Sequence, residues 1–172
     1  NLESAGADFL VMPCNTAHAY EAAVRAAVSI PFVSIVRETC TELRTHHAAV
    51  RRAGLLAANG CRQARLYDEA LAAEGIECVN LEAEEQAECM RLIYLLKQRQ
   101  RHEEARSRVL SLVKSLERRG SQAIIAGCTE IPLVIRANDL TCPFLDSGEI
   151  LARKTVAVAK YGDAWDQVAG KQ

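Results

Sequence analysis

The chain has 172 residues, 49% apolar and 25% charged, and its 21 basic and 22 acidic side chains leave a net charge of −1. That composition is globular and large enough for one compact domain or two small lobes, and its near-neutral charge argues against nucleic acid or an anionic membrane as partner. No apolar run reaches the length of a membrane span, and residues 1–8 lack the basic start and apolar core of a signal peptide.

Residues 1–8 read as the end of a helix running into a strand, so a preceding segment is expected. Asp8–Pro13 is a short apolar run that suits a buried parallel strand. Ala19–Val28 is Ala-rich and helical, Ile30–Ile35 is strand-like, and Val36–His47 has helical spacing. Val50–Ala57 is a second buried strand, followed by a helix over Cys61–Ala73 with Gly75 as its C-terminal cap, and a short strand at Ile76–Val79. Ala83–Lys97 and Glu103–Arg118 are helices, the second with Val109, Leu112, Val113 and Leu116 on one stripe. The basic stretch Lys97–Arg108 is diluted by Glu103 and Glu104 and reads as a solvated helical surface. Gln122–Ala126 and Pro143–Leu145 are strands, and Ser147–Lys160 is the last helix, with Ser147 in the N-cap position. Strands alternating with helices give an α/β fold with mostly parallel strands, whose ligands bind beyond the carboxyl ends of the strands.

The seven cysteines, Cys14, Cys40, Cys61, Cys78, Cys89, Cys128 and Cys142, are odd in number and irregular in spacing. They form neither a disulfide framework nor a metal-ligand pattern, and point to a reducing cytoplasm. Two of them sit in similar settings: Val11-Met-Pro-Cys14-Asn15-Thr16-Ala-His18 and Ile124-Ile-Ala-Gly-Cys128-Thr129-Glu130-Ile-Pro132. Each places a Cys just after an apolar strand, then small polar residues, then a helix. One such turn alone is best read as a buried structural cysteine. Two suggest a pair working on opposite faces of one carbon, one removing a proton while the other returns one. A Cα–H beside a carboxylate is very weakly acidic. The amides of the turns, with Asn15, Thr16 and Thr129, offer the hydrogen bonds that would hold the carboxylate and stabilise the developing charge.

At these residues the chain resembles the aspartate/glutamate racemase superfamily, the aspartate racemase branch in particular. Pro-Cys-Asn-Thr-Ala-His at 13–18 resembles that branch's first motif and Gly-Cys-Thr-Glu-Ile-Pro at 127–132 its second. Glutamate racemases typically carry Ser in place of His18 and His in place of Glu130. The similarity extends through Gly54-Leu-Leu-Ala57, Gly60 and Tyr67, through Gln86, Met90, Ile93-Tyr94 and Lys97, and through Phe144–Ala152 with Asp146.

The resemblance implies two pseudo-symmetric α/β lobes with the active site in the cleft between them. Residues 1–48 and 141–172 would form an incomplete first lobe and 49–140 the second. It implies a cofactor-independent amino-acid racemase with Cys14 and Cys128 as catalytic thiols. Asn15, Thr16, Thr129 and Lys97 would bind the substrate, and His18 and Glu130 would tune the thiols. No metal or cofactor is implied, the partner is a small amino acid, and a homodimer is the common assembly of such relatives. The family normally opens with a strand, a Gly-rich turn, a helix and an Arg that reads the substrate side chain, and none of these is in the sequence. Ala58 and Cys61 stand where the family more often has Thr, which weakens the case for strict aspartate specificity. The competing expectations are a hydantoin racemase of the same superfamily, a non-catalytic dicarboxylate-binding relative, and a thiol hydrolase acting through an acyl-enzyme.

Overall fold

The computed structural model describes residues 1–98 and 102–162. In chain order it runs β1 (Leu10–Val11), a 3-10 turn at Thr16–Tyr20, α1 (Glu21–Ala26), β2 (Phe32–Val33), α2 (Ile35–His46) and β3 (Arg52–Ala57). Then follow α3 (Asn59–Gln63), α4 (Leu66–Ala73), β4 (Glu77–Val79), α5 (Ala83–Lys97), α6 (His102–Arg118), β5 (Ala123–Gly127), β6 (Phe144–Asp146) and α7 (Ser147–Tyr161). All strand pairs are parallel. Strands β1 and β2 form a small sheet, and the larger one has the order β4-β3-β5-β6.

The apolar runs have a simple cause. Strand β5, Ala-Ile-Ile-Ala-Gly, is buried along its whole length because helices cover both faces of the larger sheet. Side-chain alternation divides the core. Leu55 and Ile125 face α2, α4 and α7 together with Leu43, Tyr67, Leu71 and Leu151. Leu56 and Ile124 face α5 and α6 together with Leu92, Val109 and Leu116. Helix α5 begins where expected, because Glu82 and Glu85 close a reciprocal capping box at its first turn.

The structure departs from the sequence reading at two places. The helix expected over 61–73 is two helices, broken at Arg65, whose backbone lies in the left-handed region at φ 52°. Cys61 and Tyr67 are both fully buried in the same core. Six positions apart, they would point about 120° away from each other on one straight helix, so the chain turns between them to bury both. At the last helix the cap is Asp146, not Ser147. The Asp146 carboxylate accepts from the Gly148 amide at 2.9 Å and the Glu149 amide at 3.1 Å, and Ser147 is the first helical residue, fully buried. Within residues 141–162, the strand and the helix make different contacts. Strand β6 pairs with β5, Ile124 opposite Phe144 and Ala126 opposite Asp146, while α7 packs against α2.

The basic stretch 97–108 falls partly on residues 99–101, outside the described residues. Within the described part, Arg106 pairs with Asp139 and Arg108 with Glu88 on the surface. Among the described residues no helix is long and apolar enough to cross a membrane.

Candidate active site

The first cysteine turn leaves β1 through Met12-Pro13. The Cys14 amide donates to the Met12 carbonyl at 2.8 Å, so the chain reverses tightly and leaves the thiol exposed. His18 sits beneath it, 3% exposed. Its Nε2 lies 3.2 Å from the Ile35 amide and its Nδ1 2.9 Å from the Cys14 carbonyl. An amide can only donate, so Nε2 accepts, Nδ1 carries the hydrogen, and the ring donates to Cys14's carbonyl. Burial holds the imidazole below its ordinary pKa, which favours this neutral form. Both ring nitrogens are thus committed to backbone. His18 acts on the Cys14 main chain rather than on its sulfur.

Thr16, half-buried, lies against α3. A Cβ added to Gly60 would sit 2.7 Å from Thr16 Cγ2, so a residue without a side chain is needed there for the turn to seat. The first hydrogen bond inside this turn runs from the His18 amide to the Asn15 carbonyl. The amides of Asn15, Thr16 and Ala17 therefore have no acceptor within the turn.

The second turn follows β5. Cys128 is 9% exposed and its Sγ lies 2.9 Å from Glu130 Oε2, the thiol donating to the carboxylate. Burial, with the Glu130 carboxylate second, pushes the thiol up to about 12, while the positive charge of Lys97 works in the opposite direction. Thr129 is exposed, its hydroxyl 3.4 Å from the same Glu130 oxygen. The first backbone bond within this turn runs from the Ile131 amide to the Cys128 carbonyl, which leaves the Thr129 amide without a main-chain acceptor inside it, while the Glu130 amide donates to the Cys128 sulfur. Lys97, the last residue of α5, is exposed. A cavity of about 850 Å³ touches Thr129 but lies beside the turns, between Glu42, Arg136, Asp146 and Arg153, and neither Cys14 nor Cys128 lines it.

The structure therefore gathers Cys14, Asn15, Thr16 and His18 at one turn, and Cys128, Thr129, Glu130 and Lys97 at the other. Side chains that sequence reasoning gave no site role tie the two turns together. Asn15, 3% exposed, donates from Nδ2 to Ser147 Oγ at 3.0 Å and accepts at Oδ1 from the Tyr67 hydroxyl at 2.6 Å. Ser147 Oγ in turn donates to the carbonyl of Ala126, two residues before Cys128, at 2.7 Å. Asn15 was expected as a substrate ligand, but its carboxamide oxygen and one of its two amide hydrogens are used inside the protein. In the sequence Tyr67 stood only among the residues that carry the family resemblance, and Ser147 only as a helix N-cap. Among the described residues no group of His, Cys, Asp and Glu is arranged to hold a metal ion.

The profile of the Asp/Glu/Hydantoin racemase family matches residues 1–155. A broad specificity amino-acid racemase of Bacillus subtilis (strain 168) is 31% identical over 156 residues, which are 91% of this chain and 66% of that protein. The chain thus spans a little under two thirds of that relative's length. An aspartate racemase homologue of Pyrococcus horikoshii OT3 superposes with a TM-score of 0.79 at 32% identity, over 92% of this chain and 70% of that one. The aspartate racemase of Picrophilus torridus superposes with a TM-score of 0.78 at 25% identity, over 92% of this chain and 65% of that one. These structures share the alternating α/β architecture described above. The chain belongs to the Asp/Glu/Hydantoin racemase family.

Proposed function

We propose that this chain serves a cofactor-independent racemisation of α-amino acids, with Cys14 and Cys128 as the acid–base pair. The observation that supports this reading is the hydrogen-bonded path from Asn15, next to Cys14, through Ser147 to the carbonyl of Ala126, two residues before Cys128. In one direction Cys14, as thiolate, takes the α-proton, and Cys128, as thiol, delivers a proton to the opposite face. The return reaction exchanges the roles. The thiol of Cys128 hydrogen-bonds to Glu130, which favours its protonated form at rest. That suits it to be the first donor.

Removing an α-proton leaves charge on the substrate carboxylate. The amides of Asn15, Thr16, Ala17 and Thr129, the hydroxyls of Thr16 and Thr129, the remaining Asn15 amide hydrogen and the Lys97 ammonium are the donors available to stabilise it. Residues 1–48 would form one wall of the cleft and 49–140 the other, with 141–172 closing on the first. The substrate class is aspartate or a broader set. Ala58 and Cys61 offer no hydroxyl to a side-chain carboxylate, and the Bacillus relative is described as broad in specificity. All seven cysteines are free, which supports a reducing, cytoplasmic setting.

The test is α-proton exchange in D₂O with L- and D-aspartate and with neutral amino acids. Run to equilibrium, the reaction should leave deuterium at the α-carbon of both enantiomers. Cys14→Ser and Cys128→Ser should each lower interconversion by roughly 10²- to 10⁴-fold, the usual weight of a general acid or base. Interconversion at the wild-type rate in either variant, or an acyl-enzyme seen by mass spectrometry, would overturn the two-thiol assignment.

A further inference from the structure

We infer that Tyr67 and Ser147 are positioning residues, which set the separation and facing of the two thiols by clamping Asn15 between the cysteine turns. The inference rests on the two-thiol reading above and adds to it the device that fixes the geometry.

The clamp joins parts of the chain far apart in sequence. Tyr67 lies on α4, Asn15 after β1, Ser147 at the start of α7 and Ala126 on β5. The hydroxyl of Tyr67 and the carboxamide of Asn15 are buried, as is Ser147, so each hydrogen bond is made away from water. Neither hydroxyl is required by its own element. Ser147 stands at the start of a helix, but the cap is Asp146, so the Ser147 oxygen is free to turn inward. Tyr67 occupies a core position where a Phe ring would fill the same space without a polar group to satisfy.

What the two hydroxyls do is orient one side chain. The Asn15 carboxamide is held at its oxygen by Tyr67 and at its nitrogen by Ser147, so it cannot rotate without breaking a buried bond. Asn15 is the neighbour of Cys14, and its fixed side chain fixes the backbone that aims that thiol. Tyr67 also touches the other turn. A Cβ added to Gly127 would come within 3.2 Å of Tyr67 Cε2, so the ring lies against the residue immediately before Cys128. Through its ring and its hydroxyl, this one residue gauges both turns.

Geometry of this kind governs rate more than binding. A thiol displaced by a fraction of an ångström still meets substrate but transfers a proton slowly. The experiment compares wild type with Tyr67→Phe and Ser147→Ala in three readouts. Circular dichroism melting reports folding. Bridging of Cys14 to Cys128 by a short bis-alkylating reagent, located by peptide mass, reports the facing of the thiols. Exchange of the α-proton gives kcat and KM. Folded variants should lose bridging yield and should lose kcat by roughly tenfold, the weight of a buried hydrogen bond, with KM changed far less. Should Ser147→Ala fail to fold, Tyr67→Phe carries the test, since it removes one oxygen and keeps the ring.

Bridging and kcat at wild-type levels in a folded Tyr67→Phe would overturn the inference. So would a rise in KM with kcat preserved. Bridging in wild type that weakens in the variants, without α-proton exchange on any amino acid, would uphold the clamp and defeat the racemase reading. Wild type that does not bridge at all would defeat both.

Discussion

Cys128 and Glu130 show how a site is tuned by a single neighbour. A carboxylate 2.9 Å from a thiol can only accept its proton, so Glu130 opposes ionisation and adds to the effect of burial. The sign of its removal follows. In Glu130→Gln the negative charge is gone, the Cys128 pKa falls, and the sulfur should react faster with iodoacetamide at any fixed pH below about 12. The rate profile against pH, followed on the Cys128 peptide, should move to lower pH. A shift to higher pH would mean that Glu130 does not oppose ionisation. The sequence made the pair Cys128 and Glu130 visible, because both lie in one motif. It did not reveal that His18 turns both nitrogens to the backbone, or that Asn15 faces inward. Those orientations are set by Ile35, Tyr67 and Ser147, which lie 17 or more positions away.

At the scale of elements, the local signals that located the helices also explain where they fail. Helix α5 spans the residues read as helical, and the structure adds the capping box of Glu82 and Glu85 that starts it there. The break between α3 and α4 was not legible, because nothing in Cys61–Ala73 is a helix breaker. Burial of both Cys61 and Tyr67 imposes it from outside. The cost falls on Arg65, a non-glycine residue at φ 52°. Arg65→Gly should therefore stabilise the chain by about 0.5–1 kcal/mol in urea unfolding, despite glycine's greater freedom in the unfolded state. Loss of stability instead would show that the Arg65 conformation carries no strain. At the start of α7, Asp146→Ala removes the acceptor for the amides of Gly148 and Glu149. It should cost about 1–2 kcal/mol in the same measurement. An unchanged midpoint would contradict the cap assignment.

For the whole molecule, composition and alternation were enough to give an α/β chain with parallel sheets. They did not give the partner of β6, since a three-residue apolar strand carries no record of the sheet it joins. The cores carry a further consequence. Burial pushes the thiols of Cys40, Cys61 and Cys89 from 9.0 up to about 12. A thiol with a raised pKa stabilises the fold fully below its unfolded value. That contribution is lost as the pH climbs through the folded value. The melting temperature should thus be insensitive to these groups below pH 9 and should fall steeply between pH 9 and 12. A flat profile across that window would contradict their burial. The central claim, that two thiols serve opposite faces of one carbon, is tested most directly by where solvent label first appears. With L-aspartate, or whichever amino acid the chain turns over, in D₂O and at low conversion, two bases predict deuterium in the newly formed enantiomer and almost none in the recovered substrate. Equal early labelling of both enantiomers would point to a single base and contradict the account.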